Sequence, residues 1–109
     1  MYNVVKIGQK DVPMLSMASV DRYYWNIFHR DPLKIQVKAE DEADSVNFVI
    51  EMAFVMAKFA EVGAKGMREL NEDSFLEWLE QFERVDLINA LPDAQMTYEG
   101  QAIDRKSVV

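Results

Sequence analysis

The sequence predicts an α+β fold, mainly α, with an N-terminal β-hairpin followed by three to four helices around a central apolar helix. Three stretches predict it. Residues 44–62, DSVNFVIEMAFVMAKFAEV, are apolar almost throughout. At about 100° per residue, Asp44, Asn47, Glu51, Lys58, Glu61 and Lys65 fall in one narrow band broken only by Phe54, which a helix explains and an alternating strand does not. Near the start, residues 4–7 and 12–17 are short β-branched and apolar runs around Gly8-Gln9-Lys10-Asp11. Further on, NEDSFLEWLEQFE combines a capping residue with a helical apolar stripe.

The opening runs read as a hairpin with a four-residue connection, Gly8 being suited to a positive φ. Pro13 confines the second strand to an edge, or turns its missing N–H toward solvent. Ser19 is placed to cap the next helix, where Asp21 complements the positive end. Tyr23, Tyr24, Ile27 and Phe28 supply its apolar stripe, with Trp25 to one side. Across residues 31–38, Leu33, Ile35 and Val37 alternate with Lys34, Gln36 and Lys38; this reads as a short third strand, with a helix as the alternative. Pro32 disfavours helix at Asp31.

The acidic run AEDEAD, residues 39–44, forms a surface approach to the central helix and favours its N-terminus. Gly63 and Gly66 supply a C-cap and a corner beyond Val62. Asn71 caps the next helix, with Leu70 and Phe75 as a hydrophobic staple. Phe75, Leu76, Leu79 and Phe82 form its buried stripe, Trp78 lies at the edge, and Glu77, Glu80, Gln81 and Glu83 face water. Residues 85–91 are a further apolar stretch ending at Pro92. The expected organisation is a single domain over residues 1–91 and a flexible tail over residues 92–109, so truncation after Leu91 should leave the fold intact.

The central helix is apolar around most of its circumference. A bilayer would have to accept Glu51 and Lys58, with no basic cluster or aromatic belt beside them. A single-chain core or a partner chain remains. A small domain has few helices with which to cover three sides, so part of the surface is expected to meet another copy or a client. Phe48, Met52, Val55, Met56, Phe59 and Trp78 are the candidate partner or self-association surface, and a homo-oligomer is expected. Met52 and Met56 lie one turn apart, and thioethers adapt to varied surfaces, although core packing is the commoner role of such residues.

The 109 residues carry a net charge of −7 and no cysteine. That length suits one domain burying roughly 65% of its unfolded surface. Disulfides and thiolate metal sites are excluded, and clustered cations for a phosphate backbone are lacking. Residues 1–38 hold six basic against three acidic side chains, a net +3, and the remainder carries −10. Such asymmetry suits head-to-tail contacts or a basic partner. The opening MYNVVKIGQKDV lacks a signal-peptide apolar core, so a cytoplasmic location is expected.

The order of VKIGQKDVPMLSMAS, SVDRYYWNIFHRDPLK, FVIEMAFVMAKFAE and NEDSFLEWLEQFE resembles the small tail assembly chaperones of long-tailed bacteriophages and prophages, especially those of Gram-positive hosts. The likeness covers residues 4–84. It implies a non-catalytic protein of the host bacterial cytoplasm, absent from the mature virion. Its implied partners are the tape measure protein, which it keeps soluble, and the tail tube protein, which it helps recruit.

An enzyme reading finds little in the residues. His29 follows an aromatic helix beside Arg30 and suits a helix end. No Ser/His/Asp set, phosphate loop or H-E-x-x-H occurs. Glu77/Glu80 and Glu80/Glu83 have helical spacing on a solvated face. No catalytic, cofactor-binding or metal-ligating residue is assigned, and neither nucleic acid nor membrane is expected as a partner. The alternatives to a chaperone are a small acidic regulator or inhibitor on a basic partner surface, and a structural head–tail component.

Overall fold

The computed structural model describes residues 1–38 and 42–100. It is mainly helical, with an N-terminal hairpin, β1 (Tyr2–Ile7) and β2 (Lys10–Leu15), followed by α1 (Val20–Phe28), α2 (Pro32–Lys38), α3 (Glu42–Met67), α4 (Glu72–Leu79) and α5 (Arg84–Tyr98). The α+β class stands, with five helices rather than three to four among the described residues.

Ile7 pairs with Lys10, so the connection is the two residues Gly8-Gln9, not four. Gly8 has φ 63°, and Gly at the first central position is the pattern of a type II′ turn. Reciprocal bonds between Met1 and Ser16, one of them Ser16 N–H to the Met1 carbonyl at 2.7 Å, set the parity of the ladder. Val4 and Pro13 therefore form a non-hydrogen-bonded pair, and the missing proline N–H faces the open edge as expected. Val5, Ile7 and Met14 point inward; β2 packs on α3 and β1 on α5.

Ser19 occupies the N-cap position of α1, but its hydroxyl makes no cap. Its backbone is already helical (φ −75°, ψ −13°), unlike the extended residue whose side chain can reach back to the first turn. At the other end His29 adopts φ 58° and its N–H donates to the Trp25 carbonyl at 2.7 Å, closing α1 with a left-handed cap. The strand reading of residues 31–38 is overturned, and the helical alternative holds. Asp31 Oδ1 accepts from the Leu33 N–H at 3.0 Å, and Pro32 occupies the first helical position, where its lost donor costs nothing.

α3 dominates the core. Met52 through Ala57 are each at most 4% exposed, so one subunit encloses two successive turns on every side. The expectation that so short a chain leaves this helix partly uncovered fails for these turns but holds for its N-terminal half, where Val46, Val49 and Ile50 are only half-buried. The hairpin, α1, α2, α4 and α5 all pack on α3. Phe54, the interruption in the polar band, marks where α4 crosses: its ring meets Phe75 at 5.3 Å and Trp78 at 5.7 Å. Gly63 interrupts α3 with φ 71° and ψ −179°, the expected break beyond Val62, but the helix resumes to Met67 and holds Gly66 within it rather than at a corner. Residues 39–41 of the acidic run lie outside the described residues.

Asn71 caps α4 as expected, its side chain accepting from the Ser74 N–H at 3.1 Å, while the Ser74 hydroxyl oxygen accepts from the Asn71 N–H at 3.3 Å. The stripe is rotated from its expected position. Trp78 is buried at 4% exposure and Leu76 points outward at 55%. The reason is α3, whose Phe54 and the neighbouring Phe28 gather Phe75 and Trp78 into one aromatic cluster.

The placement of a tail from residue 92 is also corrected. α5 continues through Pro92, which is exposed, to Tyr98. Leu87, Ala90, Leu91, Ala94 and Thr97 form its buried stripe. Thr97 Oγ1 accepts from Asn3 Nδ2 at 3.0 Å and donates to the Asp93 carbonyl at 2.9 Å, and Tyr98 Oη donates to Asp21 at 2.7 Å. Proline withdraws the donor for the Ile88 carbonyl, but these contacts outweigh one lost helical bond. Residues 101–109 lie outside the described residues. Among the described residues no helix is long and apolar enough to cross a membrane.

Candidate functional site

Phe48, Met52, Val55, Met56 and Trp78 are brought together, but inside the subunit. All five belong to the core. Phe59 is half-buried and holds Tyr23 edge-to-face at 5.1 Å. The six therefore do not form one outward surface, because tertiary packing covers five on α3 and Trp78 on α4; only Phe48 and Met52 reach the lining of a cleft.

The apolar concavity lies elsewhere, on the flank of the N-terminal half of α3. A cleft of about 760 Å³ opens between α3, α4 and the first turns of α5, lined by Val46, Ile50, Phe75, Leu79, Phe82 and Ile88 among others. A second cleft of about 560 Å³ continues toward the last turns of α5, past Val49, Leu91, Pro92 and Tyr98. The two meet at Ile35, Val46, Phe48 and Ile88, so they form one groove along α5. Val46, Val49, Ile50 and Ile88 are only half-buried, leaving apolar surface to be covered. Both clefts have the size of ligand-binding cavities.

One polar constellation stands at the groove wall. Glu51, from the polar band of α3, accepts the Tyr24 hydroxyl at 2.7 Å and pairs with the Arg30 guanidinium. Burial, followed by the bond to the Glu51 carboxylate, pushes the Tyr24 hydroxyl well above its ordinary value. The trio ties α1 and its following turn to α3. A neutral phenol in a raised range is no nucleophile at neutral pH, and the arrangement is an anchor for one end of the groove. His29 lies exposed at the helix end and serves α1 through its backbone. Glu77, Glu80 and Glu83 are exposed. Among the described residues no three His, Asp or Glu side chains converge as metal ligands would.

The groove residues on α5 were hidden in the sequence by composition. Leu87, Leu91, Ala94 and Tyr98 follow the i, i+4, i+7, i+11 spacing of a buried helical face, which places Ile88 on its flank. The stripe passes through small residues and a proline, and so reads as an ending. Comparison with protein-family models, curated proteins and solved structures finds no match to the chain.

Proposed function

We propose that the chain is a non-catalytic assembly chaperone that holds an apolar helical segment of its client in the groove between α3 and α5. Following the resemblance of its segments to tail assembly chaperones, the client is the tape measure protein of a long-tailed phage. The chaperone keeps it soluble in the host cytoplasm, helps recruit tail tube subunits, and is absent from the finished particle. One observation carries the reading: a long groove with half-buried aliphatic walls, of the kind that accepts an amphipathic helix through anchors at i, i+3/i+4 and i+7. A tape measure chain offers many such faces.

Co-expression tests it. The wild-type chain should raise the soluble yield of a tape measure protein, and Ile88→Glu, which puts a charge on the groove wall, should not. Equal insolubility of the client with and without the wild-type chain contradicts the proposal.

A second reading draws on the exposed acidic residues Glu72, Asp73, Glu77, Glu80 and Glu83, which face water on and beyond α4. They suit a small regulator docking on a basic surface. Salt-sensitive capture of a nucleic-acid-binding protein without any client rescue favours that reading. Recovery of the chain from purified particles favours a structural head–tail component.

A further inference from the structure

We infer that the groove selects its helix by the charges at its two ends. The occupant is an amphipathic helix of about four turns, with carboxylates in its first turn and basic residues in its last, lying parallel to α5. This rests on reading the groove as the client site.

α5 forms one wall throughout, and its 15 residues span roughly 22 Å at the helical rise. The end beside its first turn carries Arg84 and, from α2, Lys34. Both are exposed, and neither has an ion-pair partner among the described residues. Arg30 stands at the same end, held by Glu51. Asp44 is the other carboxylate facing this cleft, so the end keeps a positive excess in a chain of net charge −7. The opposite end carries Glu99, which accepts from Gln95 at 3.0 Å, and no described lysine or arginine lines it. The groove is therefore cationic where α5 begins and anionic where α5 ends.

Helices favour acids in the first turn and bases in the last, because the backbone dipole stabilises both. Laid parallel to α5, such a helix brings its acids to Lys34 and Arg84 and its bases to Glu99. Laid antiparallel, it opposes like charges at both ends. Between the ends, Ile35, Val46, Ile50 and Ile88 meet its apolar stripe. The walls supply attraction and the rims set direction.

Two synthetic helical peptides of 15 residues and identical composition provide the test, titrated against the full chain by fluorescence anisotropy at low salt. Both carry a leucine stripe; one has Glu in the first turn and Lys in the last, and the other has them exchanged. The Glu-first peptide should bind about tenfold more tightly, a gap that narrows as salt rises. Lys34→Glu combined with Arg84→Glu should reverse the order. Both positions are exposed, and an unchanged melting curve checks the fold. Equal affinities, with both peptides lost in Ile88→Glu or, should that variant not fold, in Val46→Glu, would overturn charge selection and leave the groove as client site. Binding unaffected by either groove variant would remove the groove itself. Self-association lost in the groove variants, with neither peptide binding the wild-type chain, would give the groove to a second copy and overturn the inference.

Discussion

Replacing Phe54 with alanine examines the reason α4 sits where it does. Phe54 is 0% exposed, and its ring meets Phe28, Phe75 and Trp78 at 6.3, 5.3 and 5.7 Å, all edge-to-face. Deleting a core phenylalanine costs about 3–5 kcal/mol through lost burial and the cavity left behind. Edge-to-face pairs contribute about 0.5–1.5 kcal/mol each beyond burial, so three of them place Phe54→Ala near the top of that range, at about 4–5 kcal/mol. A domain has about 5–15 kcal/mol in total, so this one change removes about a quarter of it or more. Urea unfolding followed by circular dichroism measures the effect. With a slope of about 2 kcal/mol/M, the midpoint should fall by about 2 M at unchanged slope. Leu76→Ala, on α4 and 55% exposed, should stay within about 0.5 kcal/mol of wild type. Equal midpoints for the two variants would refute the placement of Phe54 beneath α4 and of Leu76 in water.

Thr97→Val should cost about 1–3 kcal/mol, because the Asn3 amide loses its acceptor at a partly buried site, and a urea midpoint reads the loss. Truncation after Leu91 removes buried Ala94 and Thr97 and should abolish cooperative melting, the reverse of what a dispensable tail predicts. Gly8→Ala places a Cβ 2.6 Å from the Asp86 carboxylate at φ +63°, and should cost about 1–3 kcal/mol by the same midpoint measurement. The folded chain holds the Tyr24 proton more tightly than the unfolded chain, so the bond to Glu51 contributes fully below pH about 10 and is lost as pH climbs through the raised folded value. Tyr24→Phe should flatten that alkaline loss, read from urea midpoints across pH 9 to 12.

What the sequence made legible was governed by local chemistry. The hairpin follows from Gly8 and Pro13, the cap of α4 from Asn71, and the break in α3 from Gly63, each a backbone requirement that few residue types meet. The polar band of α3 correctly set Glu51 apart from the core, whereas the meaning of its interruption at Phe54 appeared only with α4 packed across it. What stayed hidden depends on partners distant in the chain. Trp78 and Leu76 exchange roles because Phe54, more than twenty residues earlier, draws the indole inward. Residues 32–38 alternate like a strand, yet Asp31 and Pro32 start a helix there. Pro92 looks like an ending, but Thr97 and Tyr98 are held by Asn3 and Asp21 at the other end of the sequence. The groove emerged only when α5 was seen to continue, since Ile88 gains its meaning from Val46 across the gap.

A client helix held in the groove between α3 and α5, as proposed, must bind there saturably. Titrating an apolar helical segment of a tape measure protein into the purified chain, alongside Ile88→Glu with its fold verified by melting, tests it most directly. Saturable binding by the wild-type chain and at least tenfold weaker binding by the variant is the result expected. Binding of equal strength by both would contradict it.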